Sequence, residues 1–195
     1  MKAYKNQSYN DKNKTAYTKV TPELHSSGSD SSRPITTVCF TGHRAVPEAH
    51  REKLSRLLDA MLLELYERGA RIFKAGGAIG FDTLAAQAVL RLKNRYGNDN
   101  LHLYLCLPGP TQATFFNEKQ KAEYNAIVER CDGLTYASDV CNAKSYYERN
   151  RSLVEYSDVC VAYCRIQKGG TYYTCKRALD KGLELINLAD FIEII

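Results

Sequence analysis

The segment Lys168-Gly169-Gly170-Thr171 directly follows an apolar run, Val159-Cys160-Val161-Ala162-Tyr163-Cys164, and leads into a stretch with helical spacing. A glycine turn between a strand and a helix aims bare N–H groups and the positive end of the helix at one spot. That arrangement binds phosphate without a cationic side chain. A second glycine group, Gly76-Gly77-Ala78-Ile79-Gly80, offers bare backbone to a sugar or base, with Asp82 and Thr83 just behind it. After Gly42, His43 brings a proton donor and Arg44 a guanidinium that can grip a phosphate or carboxylate at two points. Arg149, followed by Asn150, sits near the expected start of another helix, where a cation is unfavourable unless an anion lies close.

Each residue has a plainer reading as well. Glycines before helices often only supply positive φ, Asp82 and Thr83 can cap the second helix, and His43 and Arg44 can anchor the loop before Pro47. Glu148 closes a Ser-x-x-Glu capping box with Ser145, so a helix is expected from Ser145 to Tyr156. Phe115 and Phe116 can stack on a base or enter the core, and Tyr172 and Tyr173 flank the last glycine turn.

The elements that must position these residues follow from periodicity. Strands are expected at 37–41, 71–75, 101–107, 134–137, 159–164 and 183–187, with a short terminal element at 191–195. Between them lie helical faces: Leu54, Leu57, Leu58, Met61 and Leu65; Leu84, Ala85, Ala88, Val89 and Leu92; Tyr124, Ile127, Val128 and Cys131; then 145–156 and 171–182. Alternating strands and helices imply crossovers and parallel pairing. The expected fold is therefore α/β, a Rossmann-like, doubly wound, mainly parallel sheet with helices on both faces. In such sheets ligands bind beyond the carboxyl ends of the strands, and Gly42-His43-Arg44, Gly76-Gly77, Pro108 and Gly169-Gly170-Thr171 all fall there.

Composition bounds the partners. The formal charge is +5, but residues 1–35 contribute six cations and three anions, which leaves about +2 for residues 36–195. That is too little for a dedicated duplex-DNA binder. Residues 1–35, rich in Ser, Lys, Asn and Thr, read as a disordered tail, and 36–195 as the folded domain. Neither a signal peptide nor a membrane span is seen, so a cytoplasmic protein is expected. The seven cysteines are odd in number and mostly within apolar runs, which fits buried thiols, with neither a disulfide framework nor a metal site.

Four motifs in order are similar to the YpsA-like family of the SLOG superfamily: Phe40-Thr41-Gly42-His43-Arg44, Gly76-Gly77-Ala78-x-Gly80-Phe81-Asp82, Arg149-Asn150-x-x-Leu153-Val154-x-x-Ser157-Asp158, and Gly169-Gly170-Thr171. The resemblance covers about residues 36–187. It implies a Rossmann-like nucleotide-binding domain, with DprA and the LOG phosphoribohydrolases as relatives, and a homo-oligomer. In LOG enzymes the pattern ends Gly-Thr-x-x-Glu; here Arg149, Asp158, Gly170 and Thr171 match, but Thr174 stands where the glutamate would be. Cleavage of an N-glycosidic bond passes through an oxocarbenium-like state that needs a carboxylate. Only Asp82 or Glu148 is placed to supply one. The expected function is therefore binding of a nucleotide or nucleotide-derived signal, with no other cofactor. Nucleotide N-glycosidic hydrolysis and DprA-like binding of single-stranded nucleic acid are the alternatives.

Overall fold

The computed structural model describes residues 35–97 and 100–192. Of the expected tail only Ile35 falls within this range, and residues 193–195 of the terminal element also lie outside it. In chain order the elements are β1 (Thr37–Gly42), α1 (Glu48–Glu67), β2 (Ile72–Ala75), α2 (Phe81–Tyr96), β3 (His102–Leu107), α3 (Glu118–Val128), β4 (Gly133–Tyr136), α4 (Ala143–Val154), β5 (Val159–Tyr163), α5 (Gly169–Asp180) and β6 (Glu184–Asn187), then a 3-10 turn at Leu188–Phe191.

All six strands pair in parallel, in the order β4-β3-β2-β1-β5-β6. Right-handed crossovers that step one way across a sheet put their helices on one face, and those that step back put them on the other. The two cores follow this rule. Leu54, Leu58, Leu62 and Leu65 of α1, Ala85 and Val89 of α2 and Ile127 of α3 pack on Val38, Phe40, Phe73, Leu103, Val159 and Val161. Leu153 and Val154 of α4 and Cys175 and Ala178 of α5 pack on the opposite face, against Cys39, Cys106, Cys160, Ala162 and Leu185. The sheet is thus Rossmann-like and doubly wound. Between β1 and β5 the strand order reverses, and the two connections that leave there part to opposite faces and open a crevice.

Two helix starts differ from the sequence expectation. α4 begins at Ala143, not Ser145, because Asn142 is the N-cap: its side chain accepts from Ser145 N, while the Ser145 hydroxyl accepts from Asn142 N. Ser145 is therefore the third helical residue, and Glu148 is not part of the box. α5 begins at Gly169 with Lys168 as N-cap, so the glycines form the first turn of the helix and not a loop before it.

Candidate functional site

A crevice of about 540 Å³ opens at the reversal point. Its lining comes from four segments: Thr41, Gly42, His43 and Arg44 after β1; Ala78 and Asp82 around the start of α2; Tyr146, Arg149 and Asn150 of α4; and Ile166, Lys168, Gly169, Gly170 and Thr171 after β5. The structure thus brings together nine of the sequence-derived candidates, Gly42, His43, Arg44, Asp82, Arg149, Asn150, Gly169, Gly170 and Thr171.

Arg149 is the centre of the lining. It is only 7% exposed, and its Nη1 donates to Asp82 Oδ2 over a long 3.3 Å. Its Nε is buried with no acceptor among the described residues. Arg149 lies in the middle of α4, not near the positive end of that helix as the expected start at Ser145 implied, so the charge that balances it within the chain is Asp82. Asp82 is 3% exposed and also accepts from Ala78 N. Burial pushes its carboxyl up, against the pull of Arg149 and the Ala78 N–H. Asp82 is therefore not the N-cap of α2, a place taken by Gly80, and lies instead in the first turn of that helix.

On the opposite rim, His43 Nε2 accepts the Arg165 N–H at 2.8 Å. Burial, with the Arg165 charge adding to it, holds the imidazole below its ordinary range. Acceptance at Nε2 leaves the proton on Nδ1, so the neutral ring ties the β1 loop to the β5 loop. The Arg44 guanidinium sits 5.1 Å from the centre of the Tyr146 ring, and that of Arg149 sits 5.9 Å from the same ring. Tyr146 was missed in the sequence although it lies three residues before Arg149, which on a helix places both on one face. Lys168 and Ile166 also line the crevice without having been selected.

Gly76, Gly77, Gly80, Thr83 and Glu148 are not part of the lining. A Cβ on Gly76 would come within 1.5 Å of Arg149 Nη1 and 2.6 Å of Asp82 Oδ2, so this glycine makes room for the ion pair. The Gly77 carbonyl accepts from Gln112, and Thr83 Oγ1 donates to Ala78 O at 3.1 Å, so the chain itself occupies this loop. Gly80 has φ +82° and passes so close to the Arg44 carbonyl that a Cβ would lie 2.2 Å from it. Glu148 faces Lys144 at 3.7 Å in a solvated pair. Asp158 lies at the other end of the sheet, where its Oδ2 accepts from Thr36 N, Thr36 Oγ1 and Thr37 N at 2.9–3.0 Å. Thr174 is fully buried and donates to Gly170 O at 2.8 Å. Phe115 is 96% exposed, and Phe116 packs edge-on against Tyr124, so neither aromatic reaches the crevice. Among the described residues, no group of three or more His, Cys, Asp or Glu side chains is placed to hold a metal, and no helix is long and apolar enough to cross a membrane.

The model of the YspA SLOG family matches residues 38–191. Two solved structures are similar in fold. One is DNA processing protein A from Streptococcus pneumoniae, 16% identical with a TM-score of 0.55 over 77% of this chain and 49% of that one. The other is DNA processing protein A from Helicobacter pylori, for which a single-stranded DNA binding mode is described; it is 18% identical with a TM-score of 0.55, over 78% of this chain and 64% of that one. The chain thus spans less than two thirds of either relative, and at these identities the likeness is one of fold. Comparison with curated proteins gave no match.

Proposed function

The chain belongs to the YspA SLOG family, and from that premise we propose that its crevice binds a nucleotide or nucleotide-derived signal by its phosphate, without catalysing a reaction. The observation that carries this reading is the buried Arg149, whose Nε has no acceptor among the described residues and whose bond to Asp82 is long. A buried donor without a partner costs ~1–3 kcal/mol, and a charged one more, so an oxyanion seated against it recovers what the empty site forgoes. Gly169, Gly170 and Thr171, at the start of a twelve-residue helix, turn the positive end of α5 toward the same space. Arg44 and Lys168 at the rim add charge that draws an anion in. With Thr174 buried and bonded to the backbone, no carboxylate stands where glycosidic cleavage would need it on α5.

The reading includes a homo-oligomer, carried over from the family resemblance. A native mass spectrum of the purified chain tests both parts, with a retained small anion and a mass at a multiple of the chain as the expected result. Two other readings have an observation of their own. Asp82, its carboxyl pushed up by burial despite Arg149, is the carboxyl of the crevice lining and could give a proton to a leaving base. Free base released from a panel of nucleoside monophosphates, and lost in Asp82→Asn, would replace binding by hydrolysis. The pair of exposed Tyr147 and half-buried Tyr173, with ring centres 5.2 Å apart, and the cations of the rim offer a stacking surface for single-stranded nucleic acid. Oligonucleotide affinity that collapses with salt would favour that reading.

A further inference from the structure

The crevice holds two groups of anion-seeking donors side by side. The first is the start of α5, where Lys168 makes no side-chain capping bond to the N–H groups of the turn Gly169-Gly170-Thr171. Asn150 stands against this turn, since a Cβ on Gly170 would lie 3.4 Å from its Nδ2. Asn150 is 7% exposed, and its side-chain amide bonds to no other described residue. The second group is Arg149, buried with its Nε unanswered among the described residues, and the exposed Arg44. Among those residues Arg44 has no carboxylate within ion-pair distance, and its one contact of note is the Tyr146 ring that it shares with Arg149. One ring thus keeps two like charges close together, and an anion between them turns their repulsion into attraction.

We propose that the ligand of the crevice carries a diphosphate, one phosphoryl group on the first turn of α5 and Asn150, the other against Arg149 and Arg44; this rests on the phosphate-binding reading above. Arg149 and Asn150 are consecutive on α4, so their Cα atoms lie ~3.8 Å apart and the two positions abut. The two phosphoryl groups of a diphosphate abut as well, through one bridging oxygen. A monophosphate fills one position and leaves the donors of the other unmet, which is costly for buried groups. The cations of the lining, Arg44, Arg149 and Lys168, outnumber its carboxyl, Asp82, and this surplus suits a ligand with more than one anionic group. A terminal diphosphate, as in a nucleoside diphosphate, and an internal one, as in a nucleotide sugar, share this chemistry.

Titration calorimetry of the full chain with AMP, ADP, ATP and ADP-glucose tests the proposal. The tighter binding of ADP or ADP-glucose should exceed that of AMP by about tenfold or more, and the winner of the two identifies the diphosphate as terminal or internal. ATP adds charge but finds no third position, so the step from ADP to ATP should be much smaller than that from AMP to ADP. Inorganic pyrophosphate should displace the bound ligand at a concentration where inorganic phosphate does not. The preference for a diphosphate over AMP should largely vanish in Arg44→Met, a change at an exposed residue, and in Gly170→Ala, whose methyl group faces Asn150 Nδ2 without a positive φ to strain it. AMP binding as tight as that of both diphosphates, an equal step from ADP to ATP, or a preference unchanged in Arg44→Met would overturn the proposal and leave phosphate binding in place. Absence of binding by every probe would overturn both.

Discussion

Gly76→Ala separates two roles for the second glycine loop. If Gly76 presents bare backbone to a ligand, a methyl group there blocks binding and leaves the fold intact. The structure indicates otherwise, because the new Cβ would lie 1.5 Å from Arg149 Nη1, 2.7 Å from its Cζ and 2.6 Å from Asp82 Oδ2. Gly76 does not have a positive φ, so alanine is tolerated by the backbone and gains ~0.4–1 kcal/mol by restricting the unfolded chain. Against this, forcing an extra carbon into a packed site costs ~1–3 kcal/mol. Removing one partner of a buried pair costs up to ~3–5 kcal/mol, but here Arg149 can swing into the open crevice and avoid part of that. The net expectation is a loss of ~1–3 kcal/mol, or roughly 2–12 °C in Tm for a chain of this size. The assay is thermal and denaturant unfolding of the parent, Gly76→Ala, Arg149→Met and the double variant. Without the guanidinium the methyl group has space, so the cost of Gly76→Ala should fall by about half or more in the Arg149→Met background. An unchanged cost in that background refutes the argument.

Three further expectations follow from other parts of the site. Asp82 has its carboxyl raised in the folded state, so its contribution to stability is complete below the unfolded value of 3.8 and is lost as pH rises through the folded one. Above about pH 4 the stability of Asp82→Asn should therefore improve relative to the parent chain as pH rises, as read by urea unfolding across a pH series; a difference moving the other way refutes the assignment. Asp158→Asn should lose ~1.5–3 kcal/mol through its bonds to Thr36 and Thr37 while leaving affinity in the crevice unchanged, since it sits at the far end of the sheet. Thr174→Glu should not restore glycosidic cleavage in a base-release assay and should lower Tm, because the site is fully buried and its hydroxyl is already bonded to Gly170.

Much of the fold was legible because its determinants are local. The six strands are short apolar runs, and the helical faces repeat every three to four residues, so only their ends shifted by a residue or two. The crevice rims after β1 and β5 were legible for a topological reason, since residues just past the carboxyl ends of parallel strands fall where the sheet reverses. The interior of the site was less so. The role of Gly76 depends on Arg149, which is remote in sequence and arrives only when α4 packs across the sheet. The start of α4 was misplaced because Asn142 and Ser145 are both good caps, and the pattern alone does not rank them. That shift moved Arg149 from the first turn of the helix to its middle, and with it the source of its charge balance from the ligand to Asp82. Glu148 left the site for the same reason.

The central claim is that the crevice at the sheet reversal holds a phosphate-bearing ligand against Arg149. Isothermal titration of the full chain and of Arg149→Met with nucleoside mono-, di- and triphosphates tests it most directly. The account predicts saturable binding of at least one of them to the parent chain, weakened by about tenfold or more in Arg149→Met, in keeping with the ~1.5–3 kcal/mol of a bond to a charged group. Binding that is equally tight in Arg149→Met, or no binding of any nucleotide to the parent chain, would contradict it.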